Sequence, residues 1–336
     1  MNPCSSSPPG GLTLRREKFP VVTSLLGLCL TWFYVDAFAQ PVGPAIRGAN
    51  GGANAQKLAN GILGVMSYTV APDVTTSSLA INSSTGSNTH LTISQFGGGF
   101  TWGKDLPLYL EGNAAWARYD PVFVANDGKD DRLVPVNWDS FSATGGVGWD
   151  FPVSAQWVVR PIFSFMRGTV VSDLRLAKWW LESNTSADLN FLDGGRFKAY
   201  GFGGALMLDY ERFSPEADDD IEIRYSNVGL RSRDESALGV QARGKAESIS
   251  LWARRRVPTG WGVALGRPVR YVYEVATTRF LGNETEIGVS QMSSVGFGLE
   301  LDSSAHKVLA TRMRAVVRYR FGPNVRGASL GLALSF

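Results

Sequence analysis

Residue types that commonly carry out catalysis are few in this 336-residue chain. It contains two histidines, His90 and His306, and a histidine acts as a base only within hydrogen-bond reach of a nucleophile. His306 follows Ser303-Ser304-Ala305 in a predicted tight turn, where a histidine is typically solvated rather than oriented by a third group. Asp130 and Asp131 could form a carboxylate pair, but an acidic run in a loop is usually only solvated. We therefore predict no catalytic residues and no enzymatic activity.

Patterns that bind metals or cofactors are equally sparse. The consecutive carboxylates of Asp218, Asp219 and Asp220 could attract a divalent cation weakly, but no group has the ligand spacing of a metal site. The glycines at 97–99 and 145–148 fall within predicted strands, where they relieve crowding, and they do not form a phosphate-binding loop. The sequence predicts neither a metal nor a cofactor.

The N-terminal segment has the features of an export signal. Three basic residues precede an apolar stretch at 21–33, and Ala37-Phe38-Ala39 forms a small-x-small cleavage site before Gln40. We predict cleavage between Ala39 and Gln40; an uncleaved anchor is the alternative.

This signal divides the chain into three predicted regions. They are a signal peptide at 1–39, a flexible linker at 40–56 rich in Gly, Ala and Asn, and a folded domain at 57–336. Both cysteines, Cys4 and Cys29, lie in the removable part. The mature chain therefore holds no disulfide and no thiolate site.

The composition excludes several classes of protein. A net charge of +3 gives no sign of a nucleic-acid partner, and an aromatic content of 11% argues against disorder. A helical membrane protein needs apolar runs of about 20 residues, and none follows the signal. A glycine-rich and aromatic-rich chain, with 38 glycines, remains compatible with strands that have two different faces.

Most of the chain after residue 61 alternates between apolar and other residues with a period of two, which predicts two-faced strands. In one segment the apolar face is Phe141, Ala143, Gly145, Val147, Trp149 and Phe151. We place segments near 62–72, 89–103, 106–119, 139–151, 155–167, 196–211, 220–230, 239–256, 262–279, 286–302, 307–321 and 326–336. Their length of about ten residues suits tilted membrane strands. The fold class is all-β, a transmembrane antiparallel up-and-down β-barrel of about 12 strands.

Two segments have a second interpretation. Residues 62–72 could equally form a short helix that enters a pore. Residues 173–181 have apolar residues at helical spacing and could form a loop helix or an inward plug.

The predicted connections support the barrel, because long and short ones alternate through the first half of the chain. Outer-membrane barrels have short periplasmic turns and longer extracellular loops. Lys104-Asp105, 152–154 and 257–260 are predicted on the short side, and 127–131 on the long side.

Charge predicts which face meets lipid. Glu222, Arg224 and Glu300 alternate with apolar residues, as do four arginines of one strand, Arg312, Arg314, Arg318 and Arg320. One arginine on the lipid face costs about 2–4 kcal/mol at mid-bilayer, so four would consume most of a typical stability of about 5–15 kcal/mol. The charges are therefore predicted to face the lumen. They form either a network paired with lumen carboxylates or a positively charged pore that favours anions.

The C-terminal strand carries the most specific pattern. Leu330, Leu332, Leu334 and Phe336 alternate with small residues, and the chain ends at Phe. This ending resembles the assembly signal that the barrel-insertion machinery of Gram-negative outer membranes reads. With the strand count and the domain size, the chain resembles an autotransporter-type β-domain in its solitary form. Only about 20 mature residues precede the first predicted strand, so no passenger role is expected.

These observations lead to one main expectation and two alternatives. We expect an integral outer-membrane barrel with a structural or interaction role, in contact with outer-membrane lipid and lipopolysaccharide and with the assembly machinery during insertion. A small passive porin with an arginine-lined lumen is the first alternative, and a barrel enzyme is the second.

Overall fold

A computed structural model gives the fold. It describes residues 63–64, 66–70, 76–82, 90–103, 105–120, 122–126, 131–135, 137–172, 196–233, 243–264, 267–282, 289–302, 312–323 and 325–335. The chain divides into two compact units, residues 1–37 and 38–336, and every described residue belongs to the second. The predicted signal peptide and linker, with Ala37, Ala39 and Gln40, lie outside the described residues, as do the predicted segment at 173–181 and Phe336. Within the described ranges, no helix is long and apolar enough to cross a membrane.

The described part of the chain is built from strands. They are β1 (Thr76–Asn82), β2 (His90–Thr101), β3 (Leu108–Asp120), β4 (Val122–Asn126), β5 (Asp131–Pro135), β6 (Trp138–Trp149), β7 (Phe151–Pro152), β8 (Trp157–Ser172), β9 (Arg196–Arg212), β10 (Asp218–Ser232), β11 (Arg243–Ala264), β12 (Arg267–Phe280), β13 (Gln291–Asp302), β14 (Arg312–Gly322) and β15 (Val325–Ser335).

The main sheet closes into a ring of antiparallel strands. Its order is β6-β3-β2-β1-β15-β14-β13-β12-β11-β10-β9-β8-β7, and a further pairing of β6 with β8 joins its two ends. The two-residue β7 follows β6 and pairs with the same strand, β8. When β6 and β7 are counted as one strand, twelve strands form the wall of the barrel. β4 and β5 pair only with each other, as a hairpin between β3 and β6. The predicted antiparallel barrel of about twelve strands is confirmed.

Two predicted local assignments are wrong. The first strand in the described part of the chain is β1 at Thr76–Asn82, and not 62–72. Within 62–72, residues 63–64 and 66–67 are helical and 68–70 form a turn, so the alternative of a short helix is the one that these residues adopt. The predicted turn at 257–260 lies inside β11, whose register with β12 shifts between Pro258 and Val263. Gly260 has a φ of 73°, which a glycine adopts without steric cost, so the strand bends and continues instead of turning back.

Most connections sort by length between the two ends of the barrel. One end has the connections 102–107, 153–156, 213–217, 265–266 and 303–311, and the other end has 83–89, 121–137, 173–195, 233–242, 281–290 and 323–324. The nine-residue connection 303–311 and the two-residue connection 323–324 depart from the pattern. The predicted loop around 127–131 is the tip of the β4–β5 hairpin. We call these the short-turn end and the long-loop end.

Side chains on the two faces of the wall differ sharply in chemistry. The outer face exposes large apolar groups such as Phe163, Phe202 and Leu332, each more than half exposed, whereas Glu300 is fully buried on the inner face and Arg224 and Arg318 are nearly so. A water-soluble barrel would require the reverse arrangement, because apolar groups leave water at a gain of about 25 cal/mol per Å². The wall is therefore built to stand in an apolar solvent.

This orientation predicts a depth-dependent cost of charge on β8. Phe163→Arg, near the centre of the strand, is expected to lower the free energy of unfolding by about 2–4 kcal/mol, and Val171→Arg, near its outer end, by about 0–1 kcal/mol. Urea titrations in phospholipid vesicles measure both. Equal costs at the two positions would contradict the outward orientation.

Candidate functional site

The inner face of the barrel contains a connected group of charges that we call the ionic network. Its cations are Arg254, Arg256, Arg270, Arg314 and Arg318, and its anions are Asp218, Asp220, Glu274, Glu300 and Asp302. The side chains come from the five consecutive strands β10 to β14. Alternation places them inward, because successive residues of a strand point to opposite faces.

One branch of the network runs along the middle of the lumen. Arg318 Nη2 lies 2.6 Å from Glu274 Oε2, and Arg314 Nη1 lies 3.6 Å from Glu274 Oε1. Arg314 Nε is 3.7 Å from Glu300 Oε2, and Arg256 Nη1 is 3.6 Å from Glu300 Oε1. Each of these glutamates is therefore shared by two guanidinium groups.

The second branch lies towards the short-turn end. Arg256 Nη2 donates to Asp220 Oδ1 at 2.9 Å, and Arg254 Nη2 donates to Asp220 Oδ2 at 2.6 Å. Arg270 pairs with Asp218, and its Nη2 lies 2.7 Å from Asp302 Oδ2. The weak cation site considered for the aspartate run is therefore not formed by these carboxylates, which face arginines. Among the described residues, no group of three or more potential ligands could hold a metal ion.

The five cations and five anions of the network balance one another. An unpaired charge in the interior costs several kcal/mol in desolvation, and pairing with additional hydrogen bonds offsets that cost. The arrangement therefore matches the paired-network interpretation of the inward arginines.

A separate ion pair crosses the lumen. Glu111 on β3 and Arg224 on β10 are separated in the ring by β6, β8 and β9, yet Arg224 Nη2 and Nη1 donate to Glu111 Oε1 and Oε2 at 2.7 and 2.8 Å. This two-bond geometry is the strongest arrangement of a guanidinium on a carboxylate. Gly146 makes room for it, since a Cβ there would lie 2.6 Å from Glu111 Cγ. The pair thus ties together β3 and β10, which are four positions apart in the ring of twelve strands.

Arg160 on β8 organises a third cluster near the short-turn end. It forms an ion pair with Asp150, its Nη1 lies 3.3 Å from Asp209 Oδ2, and its guanidinium lies 4.0 Å from the centroid of the Tyr109 ring. Cation–π contact and ion pairing together satisfy a buried arginine.

Residues 63–64 and 66–70, which we call the plug segment, lie within the lumen. Leu63 and Met66 are fully buried, and a Cβ at Gly168 on β8 would collide with Met66. Asn113 Nδ2 on β3 donates to the Thr69 carbonyl at 2.7 Å, and the Thr69 and Ser142 hydroxyls lie 2.6 Å apart.

A second set of contacts ties the plug segment to the long-loop end. The Tyr68 hydroxyl donates to the Val289 carbonyl at 3.0 Å, and its ring packs on Phe280 with centroids 4.8 Å apart. Around it the inner wall is apolar and buried, through Trp138, Met166, Val170, Val228 and Leu230. The lumen thus has ionic contents towards one end and an apolar core with the plug segment towards the other.

The structure places the residues singled out in the sequence as follows. Arg314, Arg318, Glu300 and Arg224 are buried inside, and Glu222, Arg312 and Arg320 are half-buried on the same face. Arg312 lies over the Phe213 ring at 5.6 Å, and Arg320 Nε donates to Ser329 Oγ at 3.2 Å. Leu330 and Leu332 are exposed outward on β15. His90 begins β2 and Leu334 belongs to β15, but the structure does not describe their side chains. His306 and Asp130 lie outside the described residues.

Sequence reasoning missed several lumen residues. Glu111 and Arg160 each occur as a single charge in a strand rich in apolar residues. Their positions between outward-facing neighbours in the alternating pattern could have predicted that they face the lumen. Arg254 and Arg256 were obscured by Arg255, which breaks the alternation and points outward near Asp219.

Comparison with known proteins finds similar chains among the solved structures. No family model and no curated protein matches this chain. Among solved structures it is similar to the β-domain of the Bordetella autotransporter BrkA, with 14% identity and a TM-score of 0.44, covering 78% of this chain and 97% of that one. The translocator domain of the autotransporter NalP from Neisseria meningitidis has 12% identity, a TM-score of 0.41 and coverage of 78% and 86%. The NanC porin has 10% identity, a TM-score of 0.35 and coverage of 78% and 100%.

Identities this low concern the fold alone. Three of the similar structures come from autotransporters, the class that the C-terminal pattern of this chain resembles. With its apolar exterior and enclosed charges, the chain is a β-barrel of the outer-membrane type.

The position of the plug segment can be tested by a disulfide. In a chain whose Cys4 and Cys29 are changed to Ser, Thr69→Cys with Ser142→Cys is expected to oxidise readily, because the parent hydroxyls lie 2.6 Å apart. Blocking by a thiol-reactive polymer on gels measures the bond. As a control, Thr69→Cys with Ser329→Cys, an inner residue of the distant β15, should stay reduced. A reduced Thr69–Ser142 pair in the folded barrel would place the plug segment elsewhere.

The ion pair across the lumen predicts strong coupling. Glu111→Leu or Arg224→Met alone is expected to cost about 3–5 kcal/mol of unfolding free energy, because each leaves a buried partner unpaired. The combined Glu111→Leu and Arg224→Met change is expected to cost less than the two single changes together.

The exposed pair Arg118–Asp120 is the matched control, and Asp120→Asn is expected to cost less than about 1 kcal/mol. Additive effects at Glu111 and Arg224 in the same vesicle titration would show that the two side chains do not interact.

Proposed function

We propose that this chain is an integral barrel of the Gram-negative outer membrane with a structural or interaction role, a sealed lumen and no catalytic activity. The observation that carries the proposal is the filling of the lumen by the plug segment and by paired charges. A porin needs a continuous wet path, whereas Leu63 and Met66 here are fully buried inside the barrel.

The charge balance supports the same proposal. Anion selectivity requires an excess of positive groups along the path. Glu274 and Glu300 each lie between two arginines, so the network presents alternating signs and no row of one sign. Such an arrangement favours rigidity of the wall over passage of ions.

The orientation and the assembly partner follow from the two ends of the wall. We place the long-loop end outside the cell and the short-turn end in the periplasm, as in outer-membrane barrels generally. The outward Leu330 and Leu332 near the C-terminus support recognition by the barrel-insertion machinery, because an unpaired edge strand needs a template until the ring closes.

A small passive porin is the second candidate. The observation in its favour is that Arg312 and Arg320 are only half-buried on the inner face, where water reaches them. An enzyme acting through His306 is a third and weaker candidate, because the base would depend on a single histidine.

Single-channel recording in planar bilayers decides between these candidates. The wild-type protein is expected to give no steady conductance. A steady conductance whose anion preference disappears in Arg314→Ala and Arg318→Ala, but persists in the outward control Arg326→Ala, would instead establish the porin. Turnover of a lipid or peptide substrate that His306→Ala abolishes would establish an enzyme.

A further inference from the structure

Glu300 on β13 is a buried charge whose oxygens lack direct hydrogen bonds. Its side chain is fully buried on the inner face of the barrel. Among the described residues, no donor forms a hydrogen bond with either of its carboxylate oxygens. A buried charge is costly unless it is both paired and hydrogen-bonded. Glu300 therefore requires a hydrogen-bond donor that the neighbouring side chains do not supply directly.

The arginines that face Glu300 lie just beyond hydrogen-bonding distance. Arg314 Nε is 3.7 Å from Glu300 Oε2, and Arg256 Nη1 is 3.6 Å from Glu300 Oε1. Hydrogen bonds between nitrogen and oxygen are typically about 2.7–3.2 Å long. These contacts bring opposite charges together, but they are too long to satisfy the carboxylate by direct bonds.

The same gap recurs on the other side of the Arg314 guanidinium. Its Nη1 lies 3.6 Å from Glu274 Oε1. In the described part of the chain, Arg314 Nε and Nη1 donate to no group, and Glu274 Oε1 accepts from none. Arg314 thus lies between two carboxylates, and two of its donors and the oxygens nearest to them remain unused.

Strand register explains why Arg314 approaches both glutamates without bonding to either. Arg314 and Glu300 are direct partners in the pairing of β13 with β14. Val272 and Val316, which are fully buried, belong to the inner row between Glu300 and Glu274. The valines offer no hydrogen bond, so the polar atoms of this site face one another across gaps of 3.6–3.7 Å.

Shorter ion pairs on the same inner face show that direct pairing is possible in this lumen. Arg318 Nε and Nη2 lie 2.8 and 2.6 Å from Glu274 Oε2. Arg224 donates to Glu111 at 2.7 and 2.8 Å. The contacts of Arg314 differ from these, because a polar contact longer than about 3.5 Å is best satisfied by a molecule that joins the two groups.

We propose that ordered water molecules bind at this site and bridge Glu300 to Arg314 and Arg256. A further water joins Arg314 to Glu274. Water suits the site, because one molecule accepts from a guanidinium and donates to a carboxylate at the same time. A bound anion or cation suits it less, because unused donors and unused acceptors lie side by side. The water site depends on the fold of the barrel and not on the role proposed for it.

An experimental structure of the refolded full-length protein, at a resolution that shows ordered water, tests the site directly. Density is expected about 2.6–3.2 Å from both Glu300 Oε2 and Arg314 Nε. The control is the Glu111–Arg224 pair, between which no density is expected because the two side chains bond directly. Direct hydrogen bonds from Arg314 to both glutamates, without density between them, would overturn the proposal.

Crystals grown with bromide and with rubidium distinguish water from an ion, because both ions scatter anomalously. No anomalous peak is expected at the site. A peak beside Arg314 or Glu300 would show that an ion occupies the site and would overturn the proposal.

Lysine substitutions test the site in solution. Arg314→Lys keeps the charge, and a water bridge can adjust to the ammonium group, so the unfolding equilibrium constant is expected to rise less than about tenfold. The matched control is Arg224→Lys, which loses a direct two-bond pair that lysine cannot reproduce, and its constant is expected to rise at least about tenfold more. Urea titrations in phospholipid vesicles measure both constants.

Heat-dependent migration on gels verifies that each variant is folded before titration. Equal effects of the two lysine substitutions would overturn the proposal. Failure of Arg314→Lys to fold, while Arg224→Lys folds, would overturn it as well.

Discussion

The enclosure of charge inside an apolar wall is the constraint on which this structure depends. A barrel of twelve strands that stands in lipid must place every second side chain in a narrow lumen, away from both hydrocarbon and bulk water. Guanidinium groups in that space are stable only beside carboxylates, and the shared Glu274 and Glu300 meet this requirement by each serving two arginines. The Glu111–Arg224 pair applies the same principle between β3 and β10, which are not neighbours in the sheet.

The plug segment completes this interior by a different chemistry. Towards the long-loop end the inner wall is apolar, through residues such as Trp138, Met166 and Leu230, and without a filling element that surface would face an open lumen. Leu63 and Met66 bury themselves against it, while Thr69 uses its hydroxyl and carbonyl to satisfy the polar side chains of Ser142 and Asn113. The polar and apolar requirements of one short segment are thus met by matching zones of the wall.

Much of the barrel could be predicted from the sequence, because period-two alternation is a local signal that survives in nearly every strand. The inward direction of Arg314 and Glu300 could be predicted from the free-energy cost of a charge on the lipid face. That cost is large enough to determine the orientation of a strand without a structure. The partner choices could not be predicted in the same way. Arg224 forms hydrogen bonds with Glu111, and the two residues are 113 positions apart in the chain. Such a contact depends on which strands face each other across the lumen.

Local exceptions to alternation explain the remaining errors. Within the predicted segment 62–72, residues 63–64 and 66–67 are helical, and the two-residue period of a strand does not apply to a helix. At 257–260 the Pro-Thr-Gly sequence has the composition of a turn, yet β11 absorbs it as a bend because its neighbour β12 shifts register at the same place. A sequence with the composition of a turn therefore indicates an interruption in the hydrogen bonding between two strands. The pairing with the adjacent strand determines whether the chain bends or reverses direction there.

A lumen filled by its own side chains directs attention to the outer wall as the surface on which partners can act. Cations on that wall also pair within the protein, since Lys245 lies 2.5 Å from Glu247 and Arg255 lies 3.6 Å from Asp219. The same separation of charge from hydrocarbon governs both faces of the wall. On the inside, carboxylates of the protein pair with the arginines, and on the outside apolar side chains such as Phe165 and Phe202 are exposed.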